Sequence, residues 1–216
     1  MNLRRRLAAA AASGVALALG ASVLAAAPAN ATSSAPTGTR SLASVLLSDG
    51  NRFDHNGRDY DIVTEAALAV LAAKPHSPVG VLTDGKVALT AFLPRDNAFK
   101  KLVKELTGSY PRSEKAAFNA VAGLGIDTVE TVLLYHVVPG ATITKKAAFK
   151  ADGVQLTTAQ GGKITVDVYR WHGKRIKLKD ADRNDRDPRI VRFDINKKNK
   201  QIAHGIDRVL RPLDLP

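Results

Sequence analysis

The sequence predicts an α+β domain, with helices packed on a β-sheet. Apolar residues recur at helical spacing through the first half of the chain, and the second half alternates apolar with polar residues between turn signals. From Ser41 onward no composition break or solenoid-length repeat divides the chain, so one core is expected.

The elements follow in order. Residues 32–40, small, polar and Pro/Gly-containing, read as a flexible leader. Residues 59–74 form a helix by pattern, with Ile62, Val63, Ala66, Ala69 and Val70 on one stripe and Pro75 stopping the run. Residues 86–93 have strand character and end at Pro94. Asp96 stands where it can cap a helix that carries Phe99, Leu102, Val103 and Leu106 on one face, with Gly108 just past its end. Ser113 caps a shorter helix through Phe118 and Val121. Asp127 and Glu130 have capping-box spacing and open a helix through Val132, Leu133 and Tyr135, which Pro139-Gly140 terminates. Residues 155–158 and 164–169 then flank Gly161-Gly162, a hairpin signal, and residues 175–179, 190–195 and 201–206 supply further short strands. An antiparallel sheet is the simplest arrangement of these strands.

The N-terminus has the order of parts of a secretory signal: Arg4, Arg5 and Arg6, an Ala/Leu/Val-rich stretch, then Pro28 and the A-x-A site Ala29-Asn30-Ala31. Cleavage near Ala31 is expected to release a secreted protein that is not integral to the membrane, and the paired arginines leave the twin-arginine route open beside the general one. Removing residues 1–31 takes away three of 32 basic residues and none of 20 acidic ones, so the mature chain stays strongly basic. Cysteine is absent, which excludes disulfides and thiolate metal sites.

Three stretches carry a family signature: TAFLPRDNAF (residues 90–99), LLYHVVPG (133–140) and IAHGIDRVLRP (202–212). Together they resemble the two motifs and the central Tyr-His segment of the fasciclin (FAS1) domain family. The resemblance spans roughly residues 41–213, leaving 214–216 as a tail, and rests on Thr90, Phe92, Pro94, Asp96, Phe99, Tyr135, His136, His204 and Asp207. It implies a wedge of two β-sheets with helices laid across it, an extracellular life and an adhesion, matrix or ligand-binding role with no shared reaction. Arg95 departs from the usual hydroxyl residue after the motif proline. The stretch before Thr90 is longer than in a minimal member. Asp194-Ile195 resembles the Asp-Ile pair of integrin-recognition motifs, but its neighbours do not match.

Chemistry is sparse by comparison. His136, beside Tyr135, offers an acid–base pair for an exported enzyme, but no Ser or Cys nucleophile motif accompanies it, and a buried imidazole held by backbone partners is the simpler reading. His204 shares a strand face with Ile202 and Ile206, and Asp207 is expected to bond to backbone or to Arg208. Asp180, Asp182 and Asn184 match the first places of a calcium loop, but Asp185 stands where Gly is needed and Val191 where Glu is, so no metal site and no cofactor is expected. Phe99, Leu102 and Leu106 are expected to leave a groove against the sheet for an apolar ligand. Lysine clusters remain: Lys145, Lys146 and Lys150; Lys174, Arg175, Lys177 and Lys179; Lys197, Lys198 and Lys200. They suit anionic envelope glycopolymers, lipid headgroups or another surface protein. Without aromatic interleaving, and in an exported chain, nucleic acid is not expected. A structural surface protein without a small ligand is the remaining alternative.

Overall fold

Two strands, β1 (Leu89–Pro94) and β7 (Gln201–Ile206), are buried along their whole length, and their near-continuous apolar sequence reflects cover on both faces. The computed structural model describes residues 36–50 and 53–213. The expected signal peptide, the start of the leader and the tail 214–216 lie outside the described residues. Helices α1 (Leu42–Leu46) and α2 (Asp61–Ala73) precede β1. Helices α3 (Asp96–Thr107), α4 (Glu114–Ala122) and α5 (Ile126–Tyr135) follow it. Then come β2 (Val137–Pro139), α6 (Lys145–Ala148), β3 (Gln155–Thr157), β4 (Lys163–Arg170), β5 (Lys174–Lys179) and β6 (Ile190–Ile195), with β7 last.

The strands form two sheets, as the family resemblance implies: β2-β1-β7-β6 and β3-β4-β5. The second is antiparallel, as the alternation predicts, but β1 and β7 run parallel, from Leu89 opposite Gln201 to Pro94 opposite Ile206. A parallel pair needs a long crossover, and here the whole chain from α3 to β6 supplies it. Local alternation carries no trace of that pairing, which is why the antiparallel expectation fails for this pair, while β1–β2 and β6–β7 are antiparallel.

Two apolar clusters lie on either side of the first sheet. Leu89, Ala91 and Leu93 of β1 and Ala203 of β7 pack against α1–α5. Phe92 and Ile206 point the other way and meet Ile164, Val166, Ile176 and Leu178 of the second sheet, with Tyr135, Val138 and Leu210 closing the wedge. The strand period of two thus assigns one strand to two cores.

Helix ends differ from the sequence reading at two points. Asp96 does not cap its own helix, whose cap residue is Arg95 without a side-chain bond. Its carboxyl instead accepts the N–H groups of Asp61 and Ile62 at 3.3 and 2.9 Å, the orphan donors at the start of α2. Nor do Asp127 and Glu130 form a capping box. Gly125 begins α5 at φ 89°, while Glu130 takes Lys74 and the Ser77 hydroxyl, each at 2.5 Å, and Asp127 also pairs with Lys74. Ser113 caps α4 through the Ala116 N–H at 3.1 Å.

Candidate functional site

Motif residues occupy the interior. The Thr90 hydroxyl donates to the Ala141 carbonyl (2.7 Å) and accepts the Ile143 N–H (2.8 Å), pinning the loop after β2. Phe92, Pro94 and Phe99 are buried. Tyr135 donates to the Lys163 carbonyl at 2.7 Å, and burial pushes its pKa up to about 12. His136 is 4 % exposed. Its Nδ1 donates to the Val132 carbonyl (2.7 Å) and its Nε2 accepts the Leu210 N–H (2.9 Å), so both nitrogens are taken. Burial lowers its pKa to about 4, which keeps the ring neutral. A sealed ring with no free nitrogen cannot move a substrate proton, and the acid–base reading of His136 is corrected accordingly.

His204 has the opposite tautomer. Its Nε2 donates to the Ile143 carbonyl (2.8 Å) and its Nδ1 accepts the Asp194 N–H (3.2 Å). Asp207 bonds not to Arg208 but to Arg189, accepting its backbone N–H at 2.8 Å and its guanidinium at 2.9 and 2.7 Å. Arg208 reaches Glu105 and Asp185 instead.

The expected apolar groove is closed. Phe99 and Leu102 are buried, and the space they border with Val129, Leu133 and His136 amounts to about 20 Å³, room for about one water. The 180–187 loop is folded around arginine rather than a cation site: Arg211 pairs with Asp182 (3.1 Å), Asp185 (3.3 Å) and Glu105, and its N–H donates to Asp180 (2.9 Å). Burial chiefly raises the Asp180 pKa to about 7, with Asp182 and Asp187 adding to it.

Open space of about 670 Å³ lies instead where the first lysine cluster meets one residue from each of the other two. Lys145 and Lys146 of α6, Lys150 just after it, Lys174 at the start of β5 and Lys197 after β6 line it, with Phe149 as an apolar wall. A bulge in β6 shapes it: Asp194 takes φ 57° there and accepts the first N–H of α6, from Lys145, at 2.7 Å. Lys145 lies 5.3 Å over the Phe193 ring, which stacks against Phe149 at 5.4 Å. Among the described residues, Lys146, Lys150 and Lys174 make no ion pair, and Asp194 is 3.8 Å from Lys197. The cradle is therefore a shallow, open surface with an excess of positive charge.

A family model, the fasciclin domain, matches residues 65–212. The chain belongs to the fasciclin-domain family. Domains of this family are typically extracellular or secreted adhesion modules, generally without enzymatic activity. Among solved structures, a FAS1 domain pair from the insect cell adhesion molecule fasciclin I is similar at 21 % identity and TM-score 0.49, over 69 % of this chain and 46 % of that one. This chain thus spans about half the length of that match. A comparison with curated proteins gives no match.

In this fasciclin domain the strand period divides the 174–179 cluster. Lys174 lines the cradle, whereas Lys177 and Lys179 project to the opposite face and are neutralised by Asp167 at 3.3 and 3.4 Å, with Asp187 3.7 Å from Lys177. Arg175 donates to the Trp171 carbonyl at 3.0 Å. Lys198 and Lys200 lie in the turn that receives residue 38, through backbone bonds of 3.1 and 2.9 Å, and do not line the cradle. Alternation along β5, readable from the sequence, already separates Lys174 from Lys177 and Lys179. Asp194 and Phe193 carried no such signal, because the bulge that aims them is a tertiary feature.

Proposed function

We propose that this protein acts outside the cell as an adhesion or ligand-binding module whose contact surface for anionic polymers is the lysine cradle. The observation that carries the reading is the convergence of Lys146 and Lys150 with Lys174 of a distant strand, none of them in an ion pair among the described residues, on one open surface. A flexible polyanion fits such a surface better than a small metabolite. The cations are strongly hydrated lysines spread over an open depression, without the convergent polar donors and enclosing apolar walls that fix a small ligand.

Retention of the purified protein on immobilised dextran sulfate tests this. Binding at about 50 mM salt should be lost by about 500 mM, because screening shortens the reach of exposed charges. The triple change Lys146→Gln, Lys150→Gln and Lys174→Gln should abolish retention, while Lys177→Gln with Lys179→Gln on the opposite face should leave most of it. Equal loss in both variants would point to net charge alone and defeat the cradle as the contact surface.

A further inference from the structure

The β4–β5 hairpin ends in Arg170, Trp171, His172, Gly173 and Lys174. Trp171 is the chain's one tryptophan, and its side chain stands 65 % exposed at the tip. The turn is well defined: the Trp171 N–H donates to the Gly173 carbonyl at 2.9 Å, and His172 and Gly173 take φ 48° and 110°. The indole's ring contact is edge-on with the exposed His172 at 5.3 Å. Nothing in the packing of the domain accounts for so large an apolar ring in water.

We infer that this hairpin tip is a membrane-interface anchor that seats the domain on an anionic lipid surface. The proposal rests on the cradle reading for its charge and names the lipid headgroup as the source of that charge's partner. Three observations favour a bilayer over a sugar chain. The indole sits on a convex tip with no facing wall, whereas a saccharide site needs a floor and flanking hydrogen-bond groups. Its neighbours Arg170, Lys174 and Arg175 are exposed cations, whose apolar stems can lie along acyl chains while their heads stay in the headgroup layer. Lys174 also lines the cradle, so the tip and the unpaired lysines are joined through one residue. Tryptophan's amphipathic ring is enriched at the headgroup level of membranes for the same physical reason. One indole is a modest apolar contribution, and the lysines supply the second attraction that such anchoring requires.

The single tryptophan makes the test direct. The full protein is mixed with phosphatidylcholine vesicles or with vesicles in which about a third of the lipid is phosphatidylglycerol, a composition that carries anionic surface charge. Only the anionic vesicles should shift the Trp171 emission to the blue and expose it to quenching by brominated acyl chains. Trp171→Ala, which alters an exposed position and leaves the fold intact by circular dichroism, should weaken vesicle binding about tenfold, the loss expected from removing one buried apolar side chain. The same variant should keep its dextran sulfate retention. Vesicle binding without any change in Trp171 emission, or equal binding by Trp171→Ala, would overturn the anchor while leaving the cradle reading standing. Failure of the parent protein to be retained on dextran sulfate, alongside a blue shift on anionic vesicles, would sustain the tip's insertion and remove the cradle as a general polyanion surface.

Discussion

His136 and His204 hold their protons on opposite ring nitrogens because their backbone partners differ, and each joins segments that are distant in sequence. His136 links the end of α5 to Leu210, and His204 links β7 both to the β6 bulge and to the segment before α6. Burial depresses both pKa values. For His136, a folded-state value of about 4 against about 6.5 unfolded means that the neutral ring's stabilisation is full above pH 6.5. It is lost as pH falls through 4, a swing of about 3 kcal/mol. Asp96 and Asp180 are shifted upward by burial and act in the opposite sense on acidification, so a variant difference is the clean measurement. His136→Gln should be less stable than the parent by about 3 kcal/mol at pH 7, and the gap in urea midpoint should close as pH approaches 4. A gap that stays constant with pH would mean that the ring is not held neutral.

At the scale of elements, Gln201 fastens the N-terminal part to the central sheet. Fully buried at the start of β7, it accepts the Leu42 N–H at 2.8 Å and donates to the Val81 and Asp84 carbonyls at 2.7 and 2.8 Å. Gly85 permits the same approach, since a Cβ there would lie 1.8 Å from the Thr39 carbonyl oxygen. Gln201→Ala would strand the buried Leu42 N–H and take one donor from the Val81 and Asp84 carbonyls, which keep the Asp84 and Val87 N–H groups, and should cost about 2 kcal/mol. Limited proteolysis should find new cuts before residue 60; unchanged cleavage and melting temperature would show that α1 docks without it. This part of the fold was poorly legible in the sequence. The helices of residues 59–135 could be read because apolar spacing and Ser113 or Gly108 mark their faces and ends. The short α1, the three-residue β2 following directly on α5, and α6 owe their form to long-range partners such as Gln201, Thr90 and Asp194. The candidate site shows the same division: its lysines stood out as runs, but the convergence of Lys150, Lys174 and Lys197 depends on how two sheets and a bulge are joined.

For the molecule as a whole, β1 and β7 form a partition with apolar side chains on both faces, so neither core can loosen without disturbing the other. Phe92→Ala, on the side facing the second sheet, should destabilise the domain by about 4 kcal/mol. Helical circular dichroism and amide protection in β4 and β5 should be lost at the same denaturant concentration. Earlier loss of the β4–β5 sheet would mean that the partition does not couple the two halves. Among the described residues no single helix is long and apolar enough to cross a membrane. The parallel pairing also sets a schedule. Chain that emerges N-terminus first presents β1 more than a hundred residues before its central partner, which begins only at Gln201. Until then β1 has β2 on one side and an open apolar edge on the other. Closure of so distant a contact is slow, and it makes β7 the strand that completes the central sheet. A chain still emerging therefore carries a central sheet that cannot lock until Gln201–Ile206 is free to pair with Leu89–Pro94.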